Sequence, residues 1–205
     1  MKEFPPIIPV FPLSGVVYFP KTNLPLNIFE QRYLDLVNDS LQKNKLMGMV
    51  QSKKGKDDLF KIGCLGKISD YQKSQDGRIL INLTGLTRFE ILGEVDNKKL
   101  YREFKVDYKN FQLDLKNFTE DRDIEAVMNK SKVFFKKNGL ILNWKEFEKI
   151  SDIQKINTLS MISPITNEEK QKLLEAISYE DKIKTLDNIL SFYLHDVNFA
   201  NQTVQ

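Results

Sequence analysis

Six of the seven prolines fall within the first 25 residues, and the stretch they punctuate is otherwise largely apolar: Ile8 to Tyr33 reads IPVFPLSGVVYFPKTNLPLNIFEQRY. No other feature limits the fold as much. Proline supplies no ladder donor and fixes its own φ, so it is confined to strand edges, strand starts and turns. The pieces between prolines (IIPVF, GVVYF, LPLNIF) therefore read as extended segments over a sheet whose regular interior would not accept them. Their Ile, Val, Phe and Leu side chains pack inward. At Phe29 the period changes. Phe29, Tyr33, Leu36, Val37 and Leu41 fall on one stripe of an amphipathic helix that ends near Asn44. Asn27 is the expected N-cap, with Glu30 three residues later as its capping-box partner.

From Leu46 to Phe111 the pattern is that of strands. LMGMVQS and LFKIGCLGKISDYQ are short apolar runs, separated by the polar loop KKGKDD. Asp76-Gly77, ahead of alternating Ile79, Ile81 and Leu83, marks a tight hairpin, because Asp-Gly accepts positive φ. TGLTRFEILGEV and LYREFKVDYKNF supply two more strands, and such a series predicts a small antiparallel barrel or curled sheet. After Phe118 the spacing is helical. RDIEAVMNKSKVFFKKNG turns Ile124, Val127, Met128, Ser131, Phe134 and Phe135 inward, and Gly139 stops it. Asn143 with Glu146, Thr166 with Glu169 and Ser178 with Asp181 mark three further helix starts, since a good cap is worth about 0.5–2 kcal/mol. The last helix carries Ile183, Leu186, Ile189, Leu190, Tyr193, Leu194 and Val197, and the tail NFANQTVQ is expected to fray. The expected organisation is α+β: a β-rich part over 1–117 and a helical part over 118–200.

With 205 residues, 41% hydrophobic and 29% charged, the chain has the composition of a soluble globular protein that needs no disulfide staples. A net charge of +3 is too small to mark a nucleic-acid binder. Cys64 and His195 are the sole cysteine and histidine, too few for a structural zinc site, and no intrachain disulfide can form. The leader lacks the uninterrupted apolar core of a signal peptide, and no run approaches the ~18 apolar residues of a membrane span. The expected address is cytoplasmic, with no membrane contact and no metal or other cofactor.

The candidate chemistry is thin. GCLGKIS lacks the first glycine of a phosphate loop, where Lys61 stands, and has Ile68 where the hydroxyl should follow the lysine. Its glycines read instead as relief of crowding in a twisted strand. Cys64 has no basic neighbour in sequence to form a thiolate and reads as a small buried hydrophobe. His195 reads as favouring the end of a helix. The acid pairs Asp57/Asp58, Glu120/Asp121 and Glu168/Glu169 lie in polar loops or first turns, where carboxylates solvate and cap. No catalytic residue is expected.

The spaced opening resembles the Lon N-terminal, or substrate-binding, domain family. Pro9, Phe11-Pro12-Leu13, Phe19-Pro20, Pro25-Leu26 and Phe29-Glu30-Gln31-Arg32-Tyr33 match its pattern. IGCLGKI is similar to its Val-Gly-x-x-Gly/Ala-x-Ile strand, and LTGLTRFEIL to its apolar-x-Gly-x-x-Arg-Phe-x-Ile strand, through Gly85, Arg88, Phe89 and Ile91. The stretch from Leu142 to Ala176 resembles the C-terminal portion of stand-alone Lon-domain proteins. The resemblance implies a PUA-like β-barrel crossed by one helix and followed by a helical bundle. It also implies a recruiter of unfolded or extended polypeptide, without the downstream Walker loop and Ser–Lys dyad of the ATPase and protease. The family often has Gly after Phe-Pro, where this chain has Lys21. Phe11, Leu13, Phe29, Glu30, Arg32 and Tyr33 are the residues it points to for peptide binding, with Glu30 and Arg32 bonding loops and an exposed strand edge taking the peptide. An alternative is an RNA- or small-ligand-binding barrel using Lys53, Lys54, Lys56, Lys98, Lys99 and Arg102.

Overall fold

The structure, a computed structural model, describes residues 4–53, 58–116 and 123–200. Lys54, Lys56, Asp57, Glu120, Asp121 and the last five residues of the tail lie outside the described residues. Two compact units divide the chain, Met1–Asn117 and Phe118–Gln205.

The first unit holds six strands: β1 (Ile7–Leu13), β2 (Asn23–Ile28), β3 (Leu46–Gln51), β4 (Ile62–Lys73), β5 (Ile79–Val95) and β6 (Arg102–Asp107). Their order is β2-β5-β4-β3-β1-β6, and β6 also pairs with β5. Five strands thus pair in a ring, while β2 stays outside it with a single partner, so the unit is not a clean barrel. One pairing departs from the antiparallel expectation. β1 runs parallel to β3, in register Val10↔Gly48 to Leu13↔Gln51. Parallel neighbours need a crossover connection, and α1 (Gln31–Gln42), packed on the sheet by Leu36 and Val37, provides it.

The prolines do enter the strand order, against expectation, but under a restriction that keeps the physical rule. β1 pairs with β6 through Ile7–Val10 and with β3 through Val10–Leu13, so only Val10 has partners on both sides. Pro9 and Pro12 each sit where the strand is paired on one side only, and Pro25 lies in the edge strand β2. GVVYF makes no ladder; it is a loop whose Val17, Tyr18 and Phe19 are buried, with the Tyr18 hydroxyl donating to Leu83 O at 2.7 Å. Burial raises the Tyr18 pKa above its ordinary value.

Three boundaries also differ. Asn27 belongs to β2, opposite Leu80, and α1 begins after Glu30, which makes no side-chain cap. ILINL and TGLTRFEILGEV form one 17-residue strand, β5. The segment after Asp107 turns into a 3-10 helix, Lys109–Leu115. The Asp-Gly hairpin is present: Gly77 has φ +86° and Ile79, Ile81 and Leu83 are buried.

Lys21 adopts φ +59°, the left-handed region in which a Cβ costs about 1–2 kcal/mol. Its Nζ donates to Lys116 O at 3.0 Å. Lys21→Gly and Lys21→Ala both remove that bond, so their difference isolates the backbone. We expect the glycine variant to be more stable than the alanine variant by about 1 kcal/mol in urea unfolding.

The second unit holds α2 (Glu125–Lys137), α3 (Trp144–Phe147), α4 (Asp152–Ile162), α5 (Asn167–Glu175) and α6 (Tyr179–Ala200). α2 buries the expected inner stripe and Gly139, at φ +67°, follows its end. Thr166 and Glu169 form a complete capping box, Ser178 accepts from Asp181 N, and Asn143 caps only the four-residue α3. α4 is capped by Ser151 through Gln154 N and was not among the expected starts. Leu186 and Leu190 of α6 are fully buried.

Candidate functional site

The residues singled out for peptide binding gather where β1, the end of β2 and the start of α1 meet. Phe11 is on β1 and Tyr33 in the first turn of α1; their rings lie 4.0 Å apart at 31°. Both are buried, Phe11 at 8% and Tyr33 at 7% exposure. Half-buried Leu13 closes the β1–β3 register opposite Gln51. These three are framework for the site. Arg32 lies over the Tyr33 ring at 4.5 Å and pairs with Glu30 at 2.8 Å. Glu30 and Arg32 therefore bond one another, where loops were the expected partners. Burial raises the Tyr33 pKa, with Arg32 opposing.

Phe29 is different. It follows the last β2 residue, precedes the helix cap, and is 65% exposed. The ring packs little against the rest of its unit and stands open to a partner. Leu80, 44% exposed, stands opposite Asn27, two residues before Phe29.

The edge of β2 is only partly open to strand addition. Gly85 N donates to Thr22 O at 2.9 Å, in line with the β2–β5 register. By the alternation of an antiparallel pair, Asn23, Pro25 and Asn27 then turn their backbone polar groups away from β5. Pro25 has no N–H to offer, so the free edge lacks its central donor, a common way of blunting an edge.

Of the residues considered for RNA, Lys53 pairs with Asp58, Lys99 with Glu103 and Arg102 with Glu94. Their charge is met inside the unit. Lys98 is exposed, and Lys54 and Lys56 lie outside the described residues. Cys64 is sealed in the core at 0% exposure, and His195 is exposed on α6, short of its end at Ala200. Glu169 serves the Thr166 cap. Gly63 and Gly66 do relieve crowding: a Cβ would lie 2.6 Å from Met49 O and 2.5 Å from Leu83 Cγ respectively.

Sequence reasoning missed a buried polar pair joined by three hydrogen bonds. Arg88 on β5 donates from Nε and Nη2 to the two oxygens of Asp114, each at 2.9 Å, and its backbone N–H donates to Oδ2. Its guanidinium also lies 4.5 Å from the Phe111 ring centre. The pair fastens the 3-10 helix to β5, so the arginine of the TGLTRFEIL motif is architectural.

A pseudo-closed ring of strands with one appended edge strand, a crossover helix and a separate helical unit define the class, an α+β fold. The chain belongs to the ATP-dependent protease La (LON) substrate-binding domain family, whose profile matches residues 7–191. It is 25% identical to the Lon protease of Dictyoglomus thermophilum, over 98% of this chain and 26% of that protein. It is 26% identical to the Lon protease of Syntrophus aciditrophicus, over 98% and 27%. The chain thus spans about a quarter of the length of these relatives. The N-terminal domain of the Mycobacterium avium complex Lon protease shares its fold with a TM-score of 0.66 at 15% identity, covering 90% of this chain and 98% of that one. A Lon N-terminal domain protein from Xanthomonas campestris does so with a TM-score of 0.62 at 21% identity, covering 90% and 97%. No helix among the described residues is long and apolar enough to cross a membrane.

Proposed function

We propose that these 205 residues act as a non-catalytic polypeptide-binding module that engages unfolded or extended chains, in cytoplasmic protein quality control or as an adaptor. Membership of a substrate-binding domain family supports the ligand class. The observation that carries the site is the bare Phe29 ring at the family's Phe-Glu-x-Arg-Tyr helix start. Apolar contact at Phe29 and Leu80 suits a client with loose sequence preference, and the proline-interrupted edge of β2 makes side-chain contact more important than strand addition. The charge-matched state of Lys53, Lys99 and Arg102 weighs against the RNA reading.

Fluorescence titration of a labelled, permanently unfolded polypeptide tests this. Saturable binding below about 1 mM is expected. Phe29→Ala should weaken it about tenfold, equivalent to about 1.4 kcal/mol, while leaving the melting temperature unchanged, since the ring packs little. Binding that ignores Phe29→Ala would remove this site, and binding that falls steeply with salt would favour nucleic-acid-like electrostatics instead.

A further inference from the structure

We propose that a cleft in the first unit, between the end of α1 and the antiparallel β1–β6 pair where Pro9 faces Glu103, binds a primary ammonium group carried on an apolar stem. The cleft holds about 160 Å³, several times the ~30 Å³ share of one water in the liquid. Ile7, Pro9 and Leu46 give it apolar wall, and Asp39, Ser40, Tyr101 and Glu103 give it polar wall.

The hydrogen-bond inventory selects the guest. Ser40 is 3% exposed and its hydroxyl has no partner, a state that costs free energy until something bonds it. Ser40 lines the cleft, and a turn of its χ1 from one staggered well to another is the movement that the proposal requires. Each Glu103 oxygen already has a donor: Lys99 Nζ donates to one at 2.8 Å and Asn97 Nδ2 to the other at 3.1 Å. Asp39 is half used. Tyr101 donates to its Oδ2 at 2.6 Å, and Lys99 stands 4.0 Å from that same oxygen. Asp39 Oδ1 and Ser40 Oγ are left as acceptors on adjacent residues of the last turn of α1, where the helix dipole adds negative potential. An ammonium group has three donors and the matching sign. Lys43, one turn beyond Asp39 and on the same cleft, is the internal competitor.

Two sources carry this chemistry: a lysine side chain of a bound polypeptide, or a small free amine. The site stands independently of the Phe29 reading. The test is a titration of the isotope-labelled chain with n-pentylammonium, followed through backbone amide resonances, with n-pentanol and pentanoate in parallel at constant ionic strength. Saturable shifts at Ser40, Leu46 and Tyr101 are expected with the amine, and none with pentanoate. Ser40→Ala should weaken binding about tenfold while raising the melting temperature, because an unmet buried hydroxyl is gone. Lys43→Gln should tighten it. Lysine- and norleucine-containing versions of one extended peptide separate the two sources: only a polypeptide-side-chain site distinguishes them. No saturation with the amine, equal binding of pentanol or pentanoate, or indifference to Ser40→Ala would each overturn the proposal.

Discussion

Asp114→Ala is expected to destabilise the first unit by about 3–5 kcal/mol, the range found when one member of a buried ion pair is removed. Arg88 and Asp114 side chains are 4% and 9% exposed, and the carboxylate accepts three hydrogen bonds from one residue. Without it the guanidinium charge stays in a site of low dielectric, lacking the carboxylate that compensates its desolvation. The same change releases the 3-10 helix, whose Phe111 ring stacks on that guanidinium. Replacing both charges, as Arg88→Met with Asp114→Leu, should recover part of the loss, because an apolar pair of similar volume is often neutral or stabilising while the Arg88 backbone N–H still loses its Asp114 acceptor. Guanidinium unfolding of the two variants beside the unsubstituted chain checks this. A single-variant loss below about 1 kcal/mol, the range of exposed pairs, would show that the bridge is solvated.

That pair also marks where sequence reading stopped. The residues lie 26 positions apart, and nothing in an arginine within a strand motif or an aspartate in a polar run says that they meet. Local signals did better because their physics is local. Asp76-Gly77 set its own turn, Thr166 and Ser178 set their own helix starts, and Ile79, Ile81 and Leu83 declared the buried face of β5 by alternation alone. Even Ser151, which was missed, carried its signal in Gln154 three residues later. Phe29 failed for a different reason: it lies four residues before Tyr33 and two after Asn27, so helix and strand periods both fit it. The backbone decided for the strand side, and exposed the ring.

That several of the residues expected at the site meet was legible in the sequence, and their exposure was not. Phe11, Tyr33, Arg32 and Glu30 do come together, yet two of the four are core. An apolar motif announces that side chains will be covered or will bind, and the choice between those is made by a distant partner. For Phe11 the partner is Tyr33, supplied by a crossover helix. That crossover also made β1 and β3 parallel, a pairing that no alternation pattern distinguishes from an antiparallel one.

Gly85→Ala should be nearly as damaging, and for a reason that joins two motifs of the chain. A Cβ at position 85 would lie 2.3 Å from Phe19 O and 3.1 Å from Pro20 Cα, both backbone atoms. The loop cannot swing aside cheaply. Phe19 is 0% exposed, its carbonyl accepts from the Thr22 hydroxyl at 2.7 Å, and the loop is stitched to β5 by Lys21 N to Gly85 O and Gly85 N to Thr22 O, both 2.9 Å. The Phe-Pro turn of the leader therefore rests directly on the glycine of the LTGLTRF strand, and each requires the other. Forcing a methyl group into this contact moves main chain, so a loss of about 3 kcal/mol is expected, at the upper end for overpacking. Gly93→Ala on the same strand is the control: nothing lies within 4 Å of its Cβ, and its effect should stay within about 0.5 kcal/mol. Urea unfolding of the two variants side by side decides the matter. Equal stabilities would mean that the leader loop yields freely, and that the prolines do not hold it against the sheet.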